Sequence, residues 1–315
     1  DDTEKGFYAK KDLVTVANYA FSHSGIVEFG IPESSNSLKA IGKEAFANCY
    51  YIKKVTIGSA TEEIDSTAFL FCDALKEFNV AGENKSYAAV DGVLYSSEGS
   101  NGKYNALFMY PAGRMDTEYR VKSSVVGTDG TPADVTYISD YAFFHSNVAA
   151  ICIPSTIVSV SSRAVYVPGL IYAKFEKIND SITYDDLFVL SDGIYEKYQP
   201  EYIIAPSDDS NIDVFFGNNA VLKDNVLRTE FDGELVSSDD GNLILRITDN
   251  ASAVYASVVR SDRSCEKIEI SADFVKDGKT YFITEIEEYA FFGRYLTELT
   301  LGSRLSKLAD YSLKH

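Results

Sequence analysis

The sequence predicts a β-rich α/β repeat, a solenoid with a parallel sheet on its concave side, short helical or 3₁₀ turns, and inserted β-hairpins. Three observations predict this fold: a recurring Ala-Phe pair, a spacing of 22 to 25 residues between neighbouring units, and an apolar-x-x-apolar-x-apolar pattern that closes each unit. A fixed period of this size is typical of units that cannot bury an apolar face alone and must stack. The pair occurs at Ala20-Phe21, Ala45-Phe46, Ala68-Phe69, Ala142-Phe143 and Ala290-Phe291.

The stretch around each Ala-Phe pair predicts one helical or 3₁₀ turn. Residues 43–47 are too few for an independent helix, so burial of Phe46 must hold the turn. Because the same side chain recurs at the same repeat position, we expect one continuous buried spine of aromatic rings. Its members are Phe21, Phe46, Phe69, Phe143 and Phe291.

Each unit then ends in a strand with one buried face. In the third unit, Phe78 and Val80 are apolar and Asn79 lies between them. This alternation with period two predicts a strand whose apolar side chains point to the core and whose polar ones point away.

The repeats divide the chain into three segments. We predict an N-terminal repeat block at residues 1–175 with a hairpin insertion near 81–113, a β-rich interruption at 176–260, and a C-terminal repeat block at 261–315. The insertion has strand-like runs at 93–95 and 106–110 around a turn-rich loop. Asp192-Gly193-Ile194-Tyr195 echoes Asp91-Gly92-Val93-Leu94-Tyr95, so the interruption is interpreted as all-β.

Composition excludes several classes of function. The net charge of −18 repels nucleic-acid phosphates and anionic lipid, so we expect no nucleic-acid partner. No stretch approaches the roughly 18 apolar residues of a membrane span. The chain opens with Asp1-Asp2-Thr3-Glu4-Lys5, which is not a signal peptide, so we expect a cytoplasmic protein or a mature or trimmed chain.

The four cysteines do not predict a metal site. Cys49 and Cys72 share a repeat position and should stack about 5 Å apart, which permits a disulfide. Their side chains point in parallel, however, and this favours two buried thiols. Cys152 lies between Ile151 and Ile153 and is expected to face outward. Cys265 lies in weakly patterned sequence, and the chain has no Cys-x-x-Cys motif.

Catalytic chemistry is not indicated. His23 and His145 share a repeat position that Asn48, Phe71 and Gly293 occupy elsewhere, which is typical of a structural turn site. Asp208-Asp209 and Asp239-Asp240 lack the spacing of a calcium loop. No phosphate loop, nucleophile elbow or His-Glu-x-x-His motif occurs. We therefore expect no enzyme activity, no catalytic residues, no metal and no cofactor.

The repeat resembles a known family. The pattern Ile-x-x-x-Ala-Phe-x-x-Cys-x-x-Leu-x-x-Val-x-Ile, at a period near 23, is similar to the BspA-type leucine-rich repeat of bacterial surface proteins. Two further marks are a proline after the strand, at Pro32 and Pro154, and the insertion sequence at 90–95 followed by 107–111. The resemblance is strong over residues 14–165 and 281–313 and poor between about 176 and 260.

The resemblance implies a leucine-rich-repeat solenoid and an exported protein. The expected location is extracellular or at the outer cell surface, and the expected function is non-enzymatic binding, with adhesion to a host or matrix protein. One alternative is a glycan-binding accessory protein of a carbohydrate-uptake system, which a cluster of exposed tyrosines in the middle region would favour. Another is a scaffold or assembly module, which an exposed apolar patch off the concave face would favour.

The candidate binding surface is the outward face of the repeat strands. The residue between the last two apolar positions, and the one two residues before it, must point away from the core. Gly30, Ala150 and Cys152 occupy such positions with small side chains. The candidate site residues are Glu28, Lys54, Thr56, Glu77, Asn79, Glu298 and Thr300.

The C-terminal end predicts a further contact. The sequence stops two residues after Leu313, where the strand of another unit should begin. An open solenoid end leaves apolar side chains and strand-edge groups in water. We expect the natural protein to continue, or this end to be covered by the middle region or by another molecule through self-association.

Overall fold

A computed structural model describes residues 6–8, 12–31, 37–98, 102–188, 199–217, 219–250, 253–293 and 296–313. Pro32 and the echo at Asp192–Tyr195 lie outside these described residues. The first strands are β1 (Gly6–Tyr8), β2 (Thr15–Val16), β3 (Glu28–Gly30), β4 (Ala40–Ile41), β5 (Lys54–Ile57), β6 (Glu63–Ile64), β7 (Glu77–Val80), β8 (Tyr87–Val90), β9 (Val93–Ser96), β10 (Ala106–Met109), β11 (Tyr119–Arg120), β12 (Ser124–Val126), β13 (Pro132–Asp134), β14 (Tyr137–Ile138), β15 (Ala150–Ile153) and β16 (Ser159–Val160).

The remaining strands are β17 (Tyr172–Phe175), β18 (Tyr202–Ile204), β19 (Leu227–Arg228), β20 (Glu234–Ser237), β21 (Leu243–Asn250), β22 (Ala253–Ser261), β23 (Lys267–Glu269), β24 (Asp273–Lys276), β25 (Lys279–Ile286), β26 (Glu298–Thr300) and β27 (Lys307–Leu308). The helices are α1 (Tyr184–Phe188), α2 (Ile212–Phe216) and α3 (Ala220–Val226). The predicted β-rich repeat solenoid is confirmed.

The concave strands form separate parallel sheets, two longer ones and the pair β23-β26. The first parallel sheet has the order β1-β3-β5-β7, and the second has the order β11-β15-β17-β18-β19. The expectation of one continuous sheet is wrong because the inserted hairpin β8–β9 occupies the place beside β7. There the N–H of Phe78 donates to the carbonyl oxygen of Gly92 at 2.8 Å. The predicted hairpin insertion is itself confirmed.

The turn at each Ala-Phe pair is a ladder of alternating hydrogen bonds. In the first coil the N–H groups of Tyr19, Phe21 and His23 donate to carbonyl oxygens of the next coil at 3.0, 2.7 and 2.9 Å. The N–H groups between them, those of residues 20, 22 and 24, close i→i+3 turns within their own coil. The predicted 3₁₀-type turn therefore forms at alternate residues, and the other N–H groups tie one coil to the next.

The aromatic spine is confirmed only in the first three coils. Phe46 stacks on Phe21 at 5.0 Å and on Phe69 at 5.1 Å between ring centroids. Phe143 stacks instead on Tyr110 at 5.3 Å. Tyr110 belongs to the inserted segment at 81–113, which we call the inserted coil, and it takes the place of the repeat phenylalanine there. Phe291 belongs to a separate hydrophobic cluster. The expectation of one spine through all five phenylalanines is therefore wrong.

The middle region is not all-β, so that interpretation is wrong. Helices α1, α2 and α3 lie within it, and β18 and β19 extend the second parallel sheet from β17. Phe215 of α2 packs on Phe175 at 5.2 Å, so the helices cover the end of the same core. In the described part of this region, antiparallel pairing begins at β20.

A cover sheet of order β20-β21-β22-β25-β24 follows the helices, with β27 paired to β25. One of its faces encloses the C-terminal core. On the other face, Ile244 and Val259 pack against Ala150, Tyr172 and Ile204 of the second parallel sheet. The solenoid therefore uses part of its own concave face as an internal contact.

All four cysteines are described by the structure, and each is a free thiol. The Sγ atoms of Cys49 and Cys72 donate to the carbonyl oxygens of Phe21 at 2.9 Å and Phe46 at 3.2 Å. Burial raises the pKa of both thiols. The expectation that Cys152 faces away from the core is met, but its side chain is covered and only 1% exposed. It lies on the outward side of its strand, and burial raises its pKa to about 12, with Glu118 beside it as a further cause.

Candidate functional site

An alternating row of charges crosses the outward face of the first parallel sheet. Glu28, Lys54 and Glu77 lie in register on β3, β5 and β7. Nζ of Lys54 is 2.8 Å from Oε1 of Glu77, and the hydroxyl of Tyr8 donates to Oε2 of Glu28 at 3.0 Å. The hydrogen bond to Glu77 raises the pKa of Lys54. Strands about 4.8 Å apart hold these groups at fixed spacing.

A second row lies two residues further along the same strands. Thr56 and Asn79 are in register and border a groove of about 570 Å³. The third member, Gly30, is covered, because a Cβ there would lie 2.8 Å from the Tyr8 ring. The groove is lined by Ile31, Thr56, Ile57, Gly58, Ser59, Asn79, Val80, Ala81, Gly82 and Glu83. We call the five predicted residues of this face, Glu28, Lys54, Thr56, Glu77 and Asn79, the open strip.

The other two predicted site residues lie elsewhere. Glu298 and Thr300 are on β26, which pairs with β23 and not with the first parallel sheet. Glu298 forms an ion pair with Lys267 at 2.7 Å. Sequence position alone did not reveal this separation, because the repeat pattern is the same in both blocks.

The outward face of the second parallel sheet is covered in part. Ala150 and Tyr172 are buried under the cover sheet, whereas Arg120 and Lys174, on the same side of their strands, are exposed. The outward residues are polar where the face is open and small or apolar where it is covered, as burial requires.

The two histidines of the repeat occupy strained turn positions. His23 has φ 61° and His145 has φ 51°, in the left-handed region. Burial, with Arg263 nearby, holds the pKa of His145 well below its usual range. His145 contacts Phe144, Tyr166 and Phe292, with ring centroids 4.7, 5.6 and 5.4 Å away. These contacts give His145 a role in packing.

A joint between the two repeat blocks is the main feature that the sequence did not indicate. Lys76 binds Asp262 at 2.8 Å, and Arg263 donates to the carbonyl oxygen of His145. Arg263 also lies 3.6 Å from Asp73, and all these groups except Lys76 are largely buried. No local pattern marks the joint, because Arg263 lies between Asp262 and Ser264 and its partners are more than a hundred residues away in the chain.

Within the described residues, no group of three or more histidine, cysteine or acidic side chains could hold a metal ion. Nor does any described helix have the length and apolarity needed to cross a membrane.

Solved structures of bacterial leucine-rich-repeat proteins are similar to this chain. A leucine-rich cell-surface protein of Faecalibacterium prausnitzii is 18% identical, with 95% of this chain and 60% of that chain covered and a TM-score of 0.44. The pneumococcal vaccine antigen PcpA is 16% identical, with 73% and 77% covered and a TM-score of 0.31. A leucine-rich-repeat protein of Eubacterium ventriosum is 12% identical, with 98% and 82% covered and a TM-score of 0.38. This chain thus spans about 60% of the length of the first of them.

A comparison with curated proteins gave no match. A sequence profile for the BspA-type leucine-rich-repeat region matches six copies, at residues 5–89, 130–192 and 261–315. These ranges contain the five Ala-Phe turns and the strands that follow them, and they cover more than half of the chain. The chain therefore belongs to the BspA-type leucine-rich-repeat family.

Proposed function

We propose that this protein is an exported, non-enzymatic cell-surface protein that attaches to a host or matrix protein through the open strip. The observation that carries the proposal is the contrast between the two parallel sheets. Part of the outward face of the second is buried under the cover sheet, whereas the outward face of the first keeps its charged and polar side chains partly exposed on all its repeat strands. Membership of a family of bacterial surface proteins supports the proposed location.

The open strip suits protein recognition because its groups are rigid. Glu28, Lys54 and Glu77 alternate in sign across three hydrogen-bonded strands. Alternating charges at fixed spacing select a partner with the complementary order and reject like-charged surfaces. Thr56 and Asn79 add neutral donors and acceptors at the groove beside them.

Charge reversal tests the proposal. Binding to a panel of purified extracellular-matrix and serum proteins is measured by biolayer interferometry for the wild type and Lys54→Glu. We expect the variant to lose at least tenfold in affinity, because three adjacent carboxylates would replace an alternating row. The matched control is Lys39→Glu, since Lys39 is exposed and paired with Glu62 but precedes β4, outside the first parallel sheet. Equal binding by all three proteins would exclude the open strip.

The glycan-binding alternative depended on exposed tyrosines in the middle region. Among the described residues of 176–260, Tyr184 is buried, Tyr202 is half-buried and Tyr255 is 49% exposed. The described part of this region therefore has one exposed tyrosine and not the cluster that the alternative required.

Assembly is a second candidate function, and one observation favours it. On the C-terminal coil Leu301, Leu308 and Leu313 are 46%, 49% and 40% exposed, away from the open strip. Exposed apolar side chains on one coil are candidates for a contact surface. We expect light scattering to show a mass that rises with protein concentration, and the double change Leu301→Lys and Leu308→Lys to abolish the rise. A constant monomer mass at high concentration would reject this function.

A further inference from the structure

The outer face of the cover sheet has an uncovered end that carries one cross-strand row of side chains. In register across β21, β22, β25 and β24 stand Thr248, Tyr255, Phe282 and Asp273. Ala256 and Ile283, the next residues on β22 and β25, face the C-terminal core, so the row points the opposite way. We call these four residues the Tyr255 row.

The row lies outside the contact between the two sheets. That contact uses Ile244 and Val259 at the other end of the same face. Tyr255 is 49% exposed, Thr248 and Asp273 are exposed, and Phe282 is half-buried. Tyr255 and Phe282 are therefore cross-strand neighbours on a part of this face that the other sheet leaves uncovered.

An arginine fixes the polar end of the row. The guanidinium of Arg304 lies 4.1 Å from the centre of the Phe282 ring, and its Nε is 2.8 Å from Oδ1 of Asp273. The cation–π contact and the ion pair together orient both charged groups. Their charges cancel, so this surface is locally neutral in a chain with a net charge of −18.

These groups match the chemistry of a neutral saccharide. The C–H face of a sugar ring packs against an exposed aromatic ring such as Tyr255, which offers an apolar body and a polar tip. Sugar hydroxyls both donate and accept hydrogen bonds, and the row offers a hydroxyl at Thr248, a carboxylate at Asp273 and a guanidinium at Arg304. A charged polymer would gain little net attraction from a cancelled ion pair.

We propose that the Tyr255 row is a binding site for a neutral glycan chain. Four strands at about 4.8 Å spacing give a flat row about 14 Å long, which suits an extended oligosaccharide lying across the strands. A single exposed tyrosine is ordinary on a protein surface. Here Tyr255 stands in register with Phe282 and with the hydroxyl of Thr248. The row ends at Asp273, which forms the ion pair with Arg304. The site shares no residue with the open strip and is independent of the proposed protein binding.

Affinity electrophoresis in native gels tests the site. The probes are soluble neutral polysaccharides (a β-glucan, a xylan, a galactomannan and an amylopectin) together with two anionic ones, heparin and pectin. We expect at least one neutral polysaccharide to retard the wild-type protein. Tyr255→Ala should weaken this retardation at least tenfold, and Asp273→Asn should weaken it to a smaller extent.

Matched variants separate this site from other effects. Tyr51→Ala removes a tyrosine of nearly equal exposure, 50%, from a different surface and should bind as the wild type does. Lys54→Glu, which tests the open strip, should also leave the retardation unchanged. The proposal is overturned if no neutral polysaccharide retards the protein, if only heparin or pectin does, or if Tyr255→Ala and Tyr51→Ala behave alike.

Discussion

At the scale of single residues, the repeat turn depends on left-handed backbone at one fixed position. The third residue after the alanine has φ 61° at His23, 61° at Asn48, 57° at Phe71, 51° at His145 and 92° at Gly293. The expectation of a structural turn site is confirmed. Side chains as different as imidazole, amide, phenyl and hydrogen are tolerated because the backbone conformation matters more than the side chain.

Two substitutions at His23 test this explanation. Glycine adopts left-handed backbone without a steric cost, so His23→Gly should leave the free energy of unfolding within about 0.5 kcal/mol of the wild type. A β-branched residue clashes there, so His23→Val should lose about 1–2 kcal/mol. Urea denaturation measures both. The explanation fails if valine is tolerated as well as glycine.

The buried phenylalanine ladder predicts a larger effect. Phe46 is fully buried between two stacked rings, so Phe46→Ala should reduce the free energy of unfolding by about 3–5 kcal/mol. Phe21→Ala, at a half-buried position, should cost less. Thermal melting of both variants provides the measurement, and an unchanged melting temperature for Phe46→Ala would show that the period is misassigned.

At the scale of elements, the inserted coil packs closely against the preceding repeat coil at Gly113. The N–H of Gly113 donates to the carbonyl oxygen of Leu75 at 2.8 Å. A Cβ at this glycine would lie 2.6 Å from the carbonyl oxygen of Asp73. A side chain there would force the inserted coil away from its neighbour.

Gly113→Ala should therefore destabilise the protein by about 1–3 kcal/mol, as overpacking does. The control is Gly25→Ala, because nothing lies within 4 Å of a Cβ at Gly25. Chemical denaturation of the two variants makes the comparison. Equal stability would mean that the inserted coil is not packed against residues 73–75.

Strands that follow the repeat pattern could be predicted from the sequence, and longer-range pairing could not. The alternation at Phe78, Asn79 and Val80 located β7 and placed Glu77 on the open strip. Nothing in that pattern says that Gly92 takes the next place in the sheet, because register between distant segments leaves no local period. The Tyr255 row was missed for the same reason: its four residues come from four strands of weakly patterned sequence.

At the scale of the whole molecule, the two blocks meet at a buried joint around His145. Arg263 donates to the carbonyl oxygen of His145, and Phe292 packs on its ring at 5.4 Å. The neutral imidazole is favoured because burial, with Arg263 nearby, holds the pKa of His145 well below its usual range. The joint should therefore be sensitive to acid.

The sign of this pH dependence follows from proton binding. In the unfolded chain the pKa of histidine is about 6.5, above that of folded His145, so the unfolded chain binds more protons between the two values. The free energy of unfolding should fall as the pH drops below about 6.5. His145→Asn, which places the residue found at position 48, should make this fall shallower. Urea titrations at pH 7.5, 6.5 and 5.5 measure the slope, with the exposed His23→Asn as control, and equal slopes for both variants would contradict the assignment.

The joint also determines how the chain would carry mechanical load. Lys76 and Asp262 are tied to each other, although 186 positions separate them along the chain. A force that pulls the two ends apart would be transmitted through this contact and not through the residues between Lys76 and Asp262. Those residues, which include the second parallel sheet and the three helices, would bear the force only after the contact had broken.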